Sequence, residues 1–171
     1  MNKVFLLIIM FVASCYTNAQ VVRTVELTKD DDLSVLLGDD KYKLEAVAVT
    51  GYLSHANIKV LNDCKLNGML RKLDMSGCDV EDGLIPDYGF RGYMSSSAWF
   101  TSLKLPRNLE TIGEGAFTYV HVETIDFPST LRVIGNSAFF NASVLKSIII
   151  PEGTIEIGDR AFCFCIVFVY K

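Results

Sequence analysis

Two histidines and five cysteines are the residues of this 171-residue chain best suited to chemistry. A hydrolase or a metal centre would use a histidine as base or ligand, with a serine, cysteine or carboxylate at fixed spacing. Neither His55 nor His121 has a serine or cysteine at motif spacing, and no G-x-S-x-G, H-E-x-x-H or phosphate-binding glycine loop occurs. Asp30-Asp31-Asp32 lacks the alternating ligand positions of a calcium loop. It reads instead as the acidic first turn of a helix, complementing the helix dipole. Cys163-Phe164-Cys165 is C-x-C, not the C-x-x-C of redox and zinc sites. Two residues apart on a strand, its thiols face opposite sides and do not bridge. Cys64, Cys78, Cys163 and Cys165 permit three pairings that spacing does not choose between, and buried free thiols are the expectation. No catalytic residue, cofactor or metal is expected, so the chain reads as a non-enzyme.

Composition narrows the field further. Half the residues are hydrophobic and 21% are charged, enough for a packed core and too apolar for disorder. A net charge of −4 argues against nucleic acid, which needs a basic footprint.

The chain opens with Asn2-Lys3 and an apolar run from Val4 to Ala13. That run is too short to span a membrane, which takes about 20 residues in a helix, and it fits the core of a secretory signal peptide. Thr17-Asn18-Ala19 before Gln20 supplies the small residues that signal peptidase needs, so residues 1–19 are expected to be removed. Val12-Ala13-Ser14-Cys15 offers the alternative of a lipobox, with Cys15 lipidated. Either route takes the protein out of the cytoplasm, to secretion or the cell surface, with membrane attachment only through a lipid.

The remainder is organised by a repeat. Leu103-Lys104-Leu105-Pro106, Ile112-Gly113 and Ala116-Phe117 recur as Ile125-Asp126-Phe127-Pro128, Ile134-Gly135 and Ala138-Phe139. They recur again as Ile148-Ile149-Ile150-Pro151, Ile157-Gly158 and Ala161-Phe162. Alternation before each proline predicts a short strand with one buried face, which the proline ends. Leu109, Leu131, Ile112, Ile134 and Ile157 should point inward from the return path. Each glycine after an isoleucine suits a bend where a side chain would clash or φ is positive. Stacked units would place Phe117, Phe139 and Phe162 in one aromatic column, and no unit can bury its apolar face alone.

A degenerate unit lies upstream, with Leu70-x-x-Leu73-Asp74-Met75-Ser76 as its strand and Ile85 to Phe90 as a stretched return. Residues 79–99 are predicted to protrude as a loop carrying Tyr88, Tyr93 and Trp99. Before the repeats, Val21–Leu27 and Leu44–Thr50 read as strands. Asp30–Leu37 reads as a helix capped near Thr28 and ended by Gly38, and Ser54 caps a second helix read from His55 to about Cys64.

Leu145-Lys146-Ser147-Ile148-Ile149-Ile150-Pro151, Ile157-Gly158-Asp159-Arg160-Ala161-Phe162 and Cys165 resemble the unit of BspA-like leucine-rich-repeat proteins, which are bacterial surface and secreted proteins. Leu33 to Tyr42 is similar to the N-terminal cap seen in many of them, and Leu73-Asp74-Met75-Ser76 to their first strand. The resemblance implies an α/β chain: a short leucine-rich-repeat solenoid with a parallel strand ladder and an α/β N-terminal cap. Residues 20–69 would form the cap and 70–171 the repeats, degenerate over 70–99 and then 100–121, 122–144 and 145–171. It also implies binding of a macromolecular partner, in some members a host extracellular-matrix protein, and no common catalytic site. The chain has few repeats for that family, and Ile166 to Tyr170 replace the expected next strand without a polar cap. That apolar edge suits self-association or a truncated member.

Outward positions of the strand face are Asp74, Lys104, Asp126 and Ile149, flanked by Lys72, Ser102, Thr124 and Ser147. With rungs about 4.8 Å apart, five strands give a face about 19 Å long, enough for a modest protein-binding patch. Tyr88, Tyr93 and Trp99 form a second candidate patch, since exposed aromatic residues anchor interfaces. The expected function is protein binding as a surface adhesin, with a structural role in the cell envelope as the alternative.

Overall fold

The structure, a computed structural model, describes residues 22–94, 99–166 and 168–170. The expected signal peptide and Cys15 lie outside the described residues. Twelve elements follow one another: β1 (Val22–Leu27), α1 (Leu33–Leu37), β2 (Ala46–Leu53), α2 (His55–Leu66), β3 (Lys72–Val80) and β4 (Leu84–Ile85). The repeats contribute β5 (Ser102–Lys104), β6 (Thr111–Ile112), β7 (Val133–Ile134), β8 (Ser147–Ile149), β9 (Glu156–Ile157) and β10 (Phe168–Tyr170).

The chain winds as successive coils that lie in register. On one side β1, β2, β3 and β5 form a parallel sheet in that order. The next coil bridges in parallel from Thr124 to Ser147, and β8 pairs in parallel with β10. On the return side β4, β6, β7 and β9 form a second parallel ladder. A third set of bonds joins the turns: the amides of Phe90, Phe117 and Phe139 donate to the carbonyls of Ala116, Ala138 and Ala161. Backbone groups are thereby met on three sides by the neighbouring coil, and turn bonds such as Gly89 N–H to the Pro86 carbonyl meet others within a coil. The result is an α/β, solenoid-like fold in which the non-repeating strands β1 and β2 continue the strand face.

The inner wall follows the sequence alternation. Leu103, Leu105, Ile125, Ile148 and Ile150 are buried, as are Leu109, Leu131, Ile112 and Ile134 from the return path. Phe90, Phe117, Phe139 and Phe162 stack nearly parallel at successive centroid distances of 5.6, 5.1 and 5.3 Å. The upstream coil thus adds a fourth ring to the expected column. Ile157 departs from expectation: it is 49% exposed, because no coil lies over it among the described residues.

The repeated glycines are required by close approach. A Cβ on Gly135 would stand 2.8 Å from the Gly113 carbonyl carbon, and one on Gly158 would stand 2.7 Å from that of Gly135. Peptide planes meet there with no room for a methyl group. Positive φ falls elsewhere, on Tyr88, Gly115, Ser137 and Arg160, which share one turn position in four coils.

Three expectations need correction. The cap of α1 is Asp32, whose carboxylate accepts the Ser34 amide at 2.8 Å; Thr28 instead donates twice to Asp31. The three aspartates therefore precede the helix rather than forming its first turn. Residues 79–90 do not protrude: β4 and Phe90 belong to the regular return path, and the rest of the expected loop lies partly outside the described residues. Cys163 lies in a turn rather than on a strand, and Cys165 follows that turn with its thiol donating to the Phe139 carbonyl at 3.0 Å. Ser54 caps α2 as expected, accepting the Asn57 amide.

Candidate functional site: a cleft on the strand face

The outward strand residues form one column. Thr24, Ala48, Asp74 and Lys104 are register partners on β1, β2, β3 and β5, and Asp126 and Ile149 hold the equivalent place in the next two coils. Lys104 ion-pairs with Asp74 at 2.8 Å, and Ser76 donates to the same carboxylate from both its amide and its hydroxyl. Partial burial works to raise the Asp74 carboxyl, but the Lys104 ammonium and Ser76 outweigh it and hold it below the ordinary range. Asp126 is exposed and has no hydrogen bond or ion pair among the described residues. Ile149 stands 70% exposed.

Beside this column the strand face opens into a cleft of about 550 Å³. Trp99, His121 and Val144 line it together with Ser102, Lys104, Thr124 and Asp126. Trp99 is half exposed. The His121 ring carries a buried Nδ1 with no hydrogen-bond partner. Glu123 also lines the cleft but is engaged with Lys146 at 2.7 Å.

The two patches predicted from sequence are therefore partly one. The structure brings Trp99 together with Lys104 and Asp126, and leaves Ile149 and Asp74 along the same face outside the cleft lining. Tyr88 and Tyr93 go elsewhere. Tyr88 donates to Glu114 at 2.8 Å, and the Arg91 guanidinium lies 5.5 Å from the Tyr88 ring and 6.0 Å from the Tyr93 ring. Those tyrosines form a separate cluster at the turn edge. His121 and Val144 were missed as lining residues, although the repeat arithmetic places Trp99, His121 and Val144 at one position in three coils.

Lys65 reaches Phe100, the neighbour of Trp99, from α2. It is fully buried on α2, seven residues beyond Ile58 and on the same helical face. Its ammonium donates to the Phe90 carbonyl at 2.7 Å and the Arg91 carbonyl at 3.3 Å, and lies 5.5 Å from the Phe100 ring. One amine thus meets Phe90, Arg91 and Phe100. Burial pushes that amine down to about 7.

Cys64 and Cys78 are buried free thiols, pushed up to about 11 and about 12 by desolvation. Cys163 and Cys165 are also free. Among the described residues no group of three histidines, cysteines or carboxylates is placed to hold a metal ion.

Parallel coils with an L-x-x-L-type strand face, an alternating inner wall and a phenylalanine column define a leucine-rich-repeat protein. Residues 84–168 match the family model described as "BspA type Leucine rich repeat region (6 copies)", and the chain belongs to that BspA-type family. The matched span carries four return strands, β4, β6, β7 and β9. No curated protein matches the sequence. Leucine-rich-repeat regions generally bind proteins, and BspA-type proteins are typically associated with the bacterial surface.

Proposed function

We propose that this chain is an exported, non-catalytic adhesin that recognises a protein partner through its strand face. The observation that carries this reading is the cleft, where an exposed indole, a lysine and an unpaired carboxylate converge on a rigid ladder. Aromatic side chains held at a concave, stiff surface are the common anchors of protein interfaces. The apolar run at residues 4–13 supports export, and the family's surface association supports adhesion.

The test is binding of the mature chain to immobilised extracellular-matrix and bacterial surface proteins, read by biolayer interferometry. Binding to at least one, weakened at least about tenfold by Ile149→Asp on the strand face and unchanged by Glu156→Lys on the return ladder, is expected. Equal loss from both substitutions, or no binding by folded protein across the panel, overturns it.

A second reading, assembly into an envelope structure, rests on the last described coil. Ile155, Phe164 and Ile166 are largely exposed there, beside Ile157. Such a cluster associates in water. Sedimentation showing a monomer at all concentrations would remove this reading.

A further inference from the structure

We infer that the strand-face cleft takes the guanidinium of an arginine, presented by an extended segment of a protein partner, stacked on Trp99 and paired with Asp126. This rests on the protein-recognition reading and adds the chemistry that the partner must present.

Two of the charged groups lining the cleft are already paired. Lys104 is held by Asp74, a carboxylate also fixed by Ser76, and Glu123 is held by Lys146. Asp126 alone among the charged cleft residues is uncommitted within the described residues. The cleft therefore offers an uncommitted carboxylate and a half-exposed indole. That combination favours a cation: the ring quadrupole attracts it and the carboxylate pairs with it. An anion is less favoured, because Lys104, the one lysine lining the cleft among the described residues, is engaged.

Arginine fits better than lysine. A guanidinium is flat, stacks on an indole and offers parallel N–H donors to a carboxylate, while it sheds water more readily than an ammonium. The volume of about 550 Å³ exceeds one side chain and admits flanking backbone as well. A neutral sugar could stack on Trp99 but would leave the Asp126 charge uncompensated, so it is the less favoured ligand.

The protein carries its own probe, since Trp99 is the only tryptophan. Full-length mature chain is titrated with N-acetyl-Gly-Arg-Gly-amide while tryptophan emission is followed. The controls are the citrulline peptide, which keeps the shape without the charge, and methyl glucoside. A saturable emission change in about the millimolar range is expected for the arginine peptide, about tenfold weaker for citrulline. Asp126→Asn is expected to weaken arginine binding by a similar factor while thermal unfolding stays unchanged, because Asp126 makes no hydrogen bond or ion pair among the described residues. No saturation, equal citrulline binding, indifference to Asp126→Asn, or saturation by the glucoside in place of arginine overturns the inference. If partner binding still falls with Ile149→Asp but not with Asp126→Asn, protein recognition stands and the arginine assignment alone falls.

Discussion

The side-chain amide of Asn108 takes the place of a strand beside Val80: its Oδ1 accepts the Val80 amide at 2.8 Å and its Nδ2 donates to the Val80 carbonyl at 3.0 Å. β3 runs nine residues, whereas its neighbour β5 stops after three, ahead of Pro106. The end of β3 would otherwise have half-buried backbone groups without a partner. Asn108→Leu is expected to destabilise the fold by about 1–3 kcal/mol, the cost of leaving two such groups unmet. Urea denaturation measures it. A loss under about 0.5 kcal/mol would mean that water serves Val80 equally well.

The aromatic column makes a graded prediction. Phe139 is fully buried between Phe117 and Phe162, whereas Phe162 is half-buried with a ring on one side only. Phe139→Ala should cost about 3–5 kcal/mol, through lost burial and the cavity left behind. Phe162→Ala should cost less than half as much. Equal losses by chemical denaturation would contradict the stacking order.

Lys65 sets a pH dependence. Its amine titrates near 10.5 when the chain is unfolded and at about 7 when buried, so between these values the unfolded chain binds the additional proton. Stability should therefore rise with pH across that window, with the full penalty present below pH of about 7. Urea midpoints between pH of about 7 and 8.5 isolate this effect, because the raised Cys64 and Cys78 thiols act in the opposite sense only above their unfolded value of 9.0. Lys65→Met should flatten the slope. Parallel curves for the two proteins would show that the amine keeps its proton inside the fold.

Much of this was legible in the sequence because a repeat fixes offsets. Ile112 and Ile134, Ala116 and Ala138, and Phe117 and Phe139 recur at constant intervals, and each pair met on the inner wall. The strand alternation also separated Ile148 and Ile150, buried, from Ile149, exposed. What escaped was whatever depended on unlike residues sharing a position. Trp99, His121 and Val144 have no common chemistry, so their column was invisible to a motif search although it lines the cleft. Lys65 escaped because the sequence ends the expected helix at about Cys64, whereas α2 continues to Leu66 and carries the lysine to its carbonyl partners. The cap of α1 shifted from Thr28 to Asp32 because two residues able to cap stood close together, and the Asp31 carboxylate captured the threonine.

The seam at Gly113, Gly135 and Gly158 has a further consequence. Where main chain rests directly on main chain, the pitch of the winding is set by the thickness of a peptide group and has no slack. Residues facing water on the opposite flank contribute nothing to that spacing. They can be exchanged one at a time, changing what the surface binds, while the scaffold beneath keeps its dimensions.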